Sequence, residues 1–236
     1  MIEQIKLQRD GAGAILTLDH GRANAIGPQM VAEFLGALDE LEDDNTLRTL
    51  ILTGRPGMFS AGLNVPELVA LNRTEMTTFW EVFNELCYRL YTSDLMIVSA
   101  IGGHSPAGGC VLAIMTDYRI MASGAFKIGL NEVGVGIPIP GGITEVYASL
   151  VGLRRAQDLG CRGAMVNPQS ALQIGLVDEV VPADRLMEAA QAKAAQWARC
   201  SRVAQITTKH LFRRAIAERL EASADVDQNA FLDLWF

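Results

Sequence analysis

Apolar and polar residues alternate through IEQIKLQRDGAGAILTLDH around a glycine-containing turn, and this period of two predicts a β-hairpin. The loop GRANAIGP follows, and then Met30, Val31, Phe34, Leu35 and Leu38 recur at helical spacing, predicting a helix over 29–41. LRTLILTG is a short apolar run closed by Gly54, Pro56 and Gly57, which predicts a buried strand ended by a turn. After a loop at 59–67, a second helical period runs through Phe79, Trp80, Phe83, Leu86 and Leu90. LMIVSAIGG predicts another buried strand, HSPAGG a loop, 110–115 a short helix and YRIMA a further strand. The pattern changes from Leu153 onward: 157–172 reads as helices, EVVP as a short strand, and 183–236 as almost continuous helix rich in Ala, Arg, Glu and Lys. Repeated strand, loop and helix predict an α/β fold, with a core over 1–182 and a helical segment over 183–236.

Composition narrows the classes. A chain of 236 residues, half of them hydrophobic, can bury a full core. Its formal net charge of −7 argues against nucleic acid or an anionic membrane as a partner. Cys87, Cys110, Cys161 and Cys200 are scattered, without CxxC spacing, and read as reduced core residues. The opening MIEQIKLQRD has neither a signal-peptide apolar stretch nor transit-peptide character, so the expected location is cytoplasmic. Glycine, proline or charge breaks every apolar run before the roughly 18 residues of a membrane span.

Three features carry candidate chemistry. FSAGLNVPEL and HSPAGGC each place glycine at a strand end before a turn into helix, where backbone amides can face a ligand. Ordinary tight turns have the same composition, and neither stretch is a phosphate-binding fingerprint. The third feature is a carboxylate. Between Leu95 and Arg154 the only acidic residues are Asp117, Glu132 and Glu145. Asp117, near Arg119, reads as an ion-paired or capping residue, and Glu145 as part of a helix's first turn. Glu132 instead sits among Leu130, Val133, Val135 and Ile137, with no cation nearer in sequence than Lys127. Burial there would raise its pKa into the range of a proton carrier at neutral pH, although an exposed loop glutamate fits the same letters. His104 and Ser105 are adjacent and would diverge, Cys110 reads as a small core residue, and His20 and His210 lack companions for a metal site. The stripe Phe79, Trp80 and Phe83 reads first as core and second as the lining of an apolar ligand pocket.

SAGLNVPEL, SPAGGC, GRANAI, IGLNEVGVGI and ALQIGLVDEVVP occur in the order of corresponding segments in the crotonase (enoyl-CoA hydratase/isomerase) superfamily, which this chain resembles over nearly its whole length. Within it, the likeness is greatest to Δ3,Δ2-enoyl-CoA isomerases, above all through IGLNE. The resemblance implies a crotonase-like spiral of ββα units and C-terminal helices that build a homotrimer, single or paired into a hexamer. It implies an acyl-CoA thioester substrate, with coenzyme A part of the substrate and no separate cofactor or metal. By the same resemblance the amides of Leu63 and Gly108 form an oxyanion hole, Ala61, Gly62, Asn64 and Val65 line the nucleotide and pantetheine path, and Asn131 contacts substrate. Glu132 matches the catalytic glutamate, while Val111 stands where hydratases of the superfamily carry a second one. A double-bond shift needs one carboxylate, so isomerisation is the leading expectation. Another one-glutamate reaction on acyl-CoA and a non-catalytic acyl-CoA binder are the rivals. For the CoA phosphates, Lys209, Arg213 and Arg214 are candidate cations, with a solvated helix face as the plain alternative.

Overall fold

The computed structural model describes residues 3–236, so Ile2, where the expected hairpin begins, lies outside the described residues. β1 (Ile5–Asp10) and β2 (Gly13–Leu18) form that hairpin, antiparallel with Leu7 opposite Leu16. α1 (Pro28–Glu42) follows, its proline preset for the first helical turn, and buries Met30, Val31, Phe34 and Leu38 on one face. β3 (Thr49–Thr53), β4 (Gly57–Met58), α2 (Val65–Leu68) and α3 (Arg73–Thr92) come next. At the start of α3, Asn72 caps the amide of Glu75 while the Glu75 side chain returns to Asn72, a reciprocal box that fixes where the helix begins.

The chain then repeats itself in outline. β5 (Met96–Ile101), β6 (Gly103–Pro106) and α4 (Gly108–Ile114) form one unit, and β7 (Tyr118–Ala122), β8 (Ile128–Gly129) and α5 (Gly141–Val151) the next. In each unit the first strand joins one sheet and the second joins another. The larger sheet has the order β1-β2-β3-β5-β7-β9, where β9 is Glu179–Val181, and is parallel beyond its hairpin. The smaller sheet is β4-β6-β8, parallel throughout. HSPAGG is therefore only partly loop, because Gly103–Pro106 is a strand held between β4 and β8. Its two pairings, not its own propensity, make it extended.

β3 and β5 are buried on both faces, which is why they read as unbroken apolar runs. Leu50, Leu52, Ile97 and Ile101 face the core shared with α1, α3, α4 and α5, while Ile51, Val98 and Ala100 face α8 (Leu186–Ala198) through Leu186, Ala190 and Ala194. Between these lie α6 (Leu153–Cys161) and α7 (Pro168–Gln173), and α9 (Arg202–Trp235) closes the chain. Cys87 and Cys110 are buried as expected, but Cys161 and Cys200 sit at helix ends and are exposed.

α9 is anchored at both ends. Near its start, buried Lys209 donates to the Leu95 carbonyl at 2.7 Å and to Asp117 at 2.9 Å. Arg213 pairs with the other Asp117 oxygen at 3.0 Å and donates to the carbonyls of Tyr91 and Thr116. Asp117 is thus ion-paired, though with α9 rather than with neighbouring Arg119, which pairs with Asp178. The suggestion that Lys209 and Arg213 hold CoA phosphates is corrected by this network: both cations already bind a buried carboxylate and main-chain carbonyls. Glu145 lies beyond the first turn of α5 and pairs with Arg219 of α9 at 2.7 Å. Towards the other end of α9, Phe231 stacks on Trp80 with ring centroids 4.1 Å apart.

Asp117→Ala would strand two cations, one of them buried. The expected loss is about 3 to 5 kcal/mol, read from the urea midpoint at constant m. Asp94→Ala, which removes the exposed pair with His210, should cost under about 1 kcal/mol in the same titration.

Candidate active site

The two glycine loops meet. Gly62 has φ +87, and a Cβ built there would lie 2.9 Å from the Gly108 amide nitrogen, so only glycine lets the segments approach this closely. Asn24, fully buried with φ +45, holds the first loop from behind. Its side chain accepts from the His20 amide at 2.8 Å and donates to the carbonyls of Met58 and Phe59, while its carbonyl accepts from Ser60 Oγ at 2.7 Å. Ser60 Oγ in turn accepts from the Gly62 amide at 3.2 Å.

These bonds leave two amides free. Ile26 and Leu63 form a parallel bridge in which Ile26 donates to the Gly62 carbonyl and Asn64 to the Ile26 carbonyl, each at 2.8 Å. A bridge of this kind uses the groups flanking Leu63 and turns the Leu63 N–H to the opposite side. Gly108 is the first residue of α4, so its N–H has no intrahelical partner. The preceding residue, Ala107, adopts φ 45 and ψ −123, a conformation that strains any L residue by about 1 to 3 kcal/mol. It is held there by the Ala107 amide donating to Gly129 and the Val111 amide donating to Ala107, each at 2.9 Å. That ψ angle sets the direction of the Gly108 N–H.

Both segments line one cavity of about 120 Å³ with Glu132, Asn131 and Val111. Glu132 begins a 3-10 turn, Glu132–Val135, closed by Gly136 in the left-handed region. It is 6 % exposed, its Oε2 has no hydrogen-bond partner, and burial raises its pKa from the ordinary 4.5 to about 7. The Asn131 Oδ1 beside it is also buried and unpartnered. Ala61 and Val65 line the cavity too, whereas Asn64 turns its side chain to Glu67 at 2.7 Å. Of the expected aromatic stripe, Phe79 is core, but Trp80 and Phe83 form cavity wall together with Ile137 and Ile143. Among the described residues, no three His, Cys, Asp or Glu side chains are placed to share a metal, and no helix is long and apolar enough to cross a membrane.

Sequence reasoning passed over Asn24, Ser60 and Ala107, which position the amides; Ala107 also lines the cavity, whereas Asn24 and Ser60 lie behind it. The asparagine in GRANAI carried a signal, because asparagine tolerates positive φ and bonds to nearby backbone. Ala107 carried none.

Two free amides facing a buried protonatable carboxylate suit chemistry in which a proton leaves carbon as charge gathers on a carbonyl oxygen. A family profile described as enoyl-CoA hydratase/isomerase matches residues 9–235. The chain belongs to this family. It is 37% identical over 233 residues to the mitochondrial enoyl-CoA delta isomerase 1 of Rattus norvegicus, covering 97% of this chain and 81% of that one. A short-chain-enoyl-CoA hydratase of Clostridium acetobutylicum is 29% identical over 232 residues, covering 98% and 88%. Among solved structures, the human mitochondrial delta3-delta2-enoyl-CoA isomerase superposes with a TM-score of 0.95 at 34% identity, covering 99% of this chain and 92% of that one. The crotonase-like α/β fold inferred from the motifs is thereby shown. The cytoplasmic expectation is corrected: the enoyl-CoA delta isomerases this family member matches at 37% identity are mitochondrial proteins. Cysteine usage and the opening residues do not decide the compartment.

A carboxyl whose folded pKa lies above its unfolded value binds the extra proton only when folded. Stability therefore falls as pH rises from about 4.5 to about 7, then levels. The loss is about 3 kcal/mol. Glu132→Gln, which cannot ionise, should gain about that much on wild type between pH 4 and pH 8 in paired denaturant titrations; parallel curves would refute the buried acid.

Proposed function

We propose that this protein is a Δ3,Δ2-enoyl-CoA isomerase, which moves a double bond of an acyl-CoA thioester from C3 to C2. The observation that carries this reading is that Glu132 is, among the described residues, the sole ionisable side chain lining the cavity that Leu63 and Gly108 also line. The carboxylate takes a proton from C2 of the bound 3-enoyl thioester. The electron pair moves towards the carbonyl, and the resulting dienolate carries its charge on the thioester oxygen between the two amides. Glu132, now protonated, delivers the proton to C4, and the double bond is left at C2–C3. One carboxylate on one face serves both steps. A pKa near 7 suits it to both, because neither taking nor giving the proton is strongly uphill at neutral pH.

Hydration would need a second group to activate water. Val111, where hydratases of the superfamily carry their other glutamate, supplies an apolar wall instead. Desolvation also strengthens the amide–oxyanion interaction. In this reading Asn131 contacts substrate through its free Oδ1, and Ala61, Gly62, Asn64 and Val65 border the path of the pantetheine and nucleotide. Residues 1–182 form the catalytic core and 183–236 the segment that builds a homotrimer, single or paired into a hexamer.

With a 3-enoyl-CoA, the purified protein should yield the 2-trans isomer without releasing free thiol. Glu132→Gln should lower kcat by about 10² to 10⁴ while acyl-CoA binding persists. Release of CoA at a comparable rate would point to a hydrolase, and an unimpaired variant would overturn the reading. Gly62→Ala, forced against the Gly108 amide, should cost about 10² to 10³ in kcat by disturbing the oxyanion donors.

A further inference from the structure

Leu63 is held differently on its two sides. Upstream, buried Asn24 and Ser60 bind the chain through their side chains. Downstream, Asn64 leads into α2, only four residues long, of which Leu68 alone is buried. Internal bonds make this turn one body with the Leu63 segment: Val65 donates to the Leu63 carbonyl, and Glu67 and Leu68 donate to that of Asn64, each at 2.9 Å. The bridge to Ile26 and the Leu68 side chain are slender support for a segment that aims an amide.

Glu67 adds a third tie. The residue is exposed, yet its side chain folds back onto the protein. Oε2 accepts from Asn64 Nδ2 at 2.7 Å, and the carboxyl packs on Gly27, where an added Cβ would overlap Oε2 and lie 2.9 Å from Cδ. Gly27 is the cap residue of α1 and follows Ile26, the bridge partner of Leu63. That cap has no side chain of its own, and the first turn of α1 contains no acid, so the carboxylate meets the positive end of a 15-residue helix. Gly27 has φ −117, a backbone conformation open to any residue. Room for the Glu67 carboxylate, not backbone freedom, is therefore what glycine provides at this position.

We infer that Glu67 is a positioning residue for the oxyanion hole: its carboxylate, seated in the space left by Gly27, clasps the downstream side of the loop to the start of α1 and so fixes the direction of the Leu63 N–H. The inference rests on the reading of Leu63 and Gly108 as oxyanion donors. Glu67 does not line the cavity and acts through the backbone between itself and Leu63.

The test separates the hole from the reaction by using acetoacetyl-CoA, which loses a C2 proton to give an enolate with a near-ultraviolet band and has no double bond to shift. Bound to wild type, it should show that band at a pH where the free thioester shows little, because the hole favours the anion. Glu67→Ala and Gly27→Ala should each shift the bound equilibrium about tenfold away from the enolate, while affinity for butyryl-CoA, whose carbonyl stays neutral, changes by less than about threefold. With 3-hexenoyl-CoA the same variants should lower kcat about tenfold and leave KM within about threefold. Gly27→Ala displaces only the end of a flexible side chain, which guards against misfolding. It should cost nothing further in the Glu67→Ala background, since both substitutions remove one contact. An undiminished enolate band in both single variants, or additive losses in the double variant, would overturn the clasp. A band that weakens in the variants while 3-hexenoyl-CoA is not isomerised upholds the clasp and refutes the isomerase reading alone. Absence of the band in wild type refutes the hole and the clasp together.

Discussion

Everything at this site depends on the close approach of two main-chain segments, at Gly62 and at Gly108. At the present spacing a Cβ on Gly62 would lie 2.9 Å from the Gly108 amide nitrogen and one on Gly108 3.2 Å from the Gly62 Cα, so either would press the segments apart. The approach is built from outside the site. The small sheet sets β4 beside β6 and β6 beside β8, which brings the chain leaving each strand to the same edge. Ile26 and Ser60 then consume the hydrogen-bonding groups around Leu63, with Asn24 holding Ser60 from behind, so that the Leu63 amide is left over. Strain at Ala107 does the corresponding work for Gly108, and the pairing of β6 with β8 holds that strain in place. The two free amides are a pattern of unsatisfied donors, maintained because the neighbouring hydrogen-bonding groups are satisfied.

Glu132 presents the same logic with the opposite sign. A buried carboxyl with one oxygen unpartnered destabilises the folded chain once ionised, and burial raises its pKa for that reason. An arginine in place of Val111 would relieve it, yet would hold the carboxylate ionised and too weak a base. The site therefore gives up stability as its carboxyl ionises towards neutral pH, and the compensation lies in the rest of the core, where β3 and β5 are buried on both faces.

The longer strands, α1 and α3 were readable because one-sided or two-sided burial stamps a period on the letters, whereas the helix-start signals at Pro28 and the Asn72–Glu75 box were passed over. The acid was readable for a related reason: a lone carboxylate in a long apolar stretch conflicts with local composition, and such conflicts mark function. The short strands β4, β6 and β8 were not readable, since two to four residues carry no period and are extended only through their pairing. Nor was the fate of Lys209 and Arg213. Their spacing on a helix looks like a solvated basic face, and only Asp117, far away in sequence, shows that the face is buried. The same holds for Trp80 and Phe83, because helical periodicity identifies the inward face of α3 without revealing whether protein or empty space lies against it.

α9 shows why that last distinction is tertiary. The helix spans Arg202–Trp235, anchored near its start by the Asp117 network and stacked through Phe231 on Trp80 towards its end. Between the two attachments it runs over α3 and α5, and Gly142 allows α5 to seat against Leu220 without a Cβ in the way. The gap left between three helices fixed in this manner is too wide to collapse and too narrow to admit a further helix. Its shape follows from where the anchors lie rather than from the residues that face it. Substitutions at Asp117 or Phe231 should therefore alter the cavity wall at Trp80 through the position of α9, while Glu132 and the two amides, held by the smaller sheet and the 3-10 turn, keep their geometry. The carboxyl with its two amides and the aromatic wall at Trp80 are thus supported by separate parts of one fold, and each can change without dismantling the other.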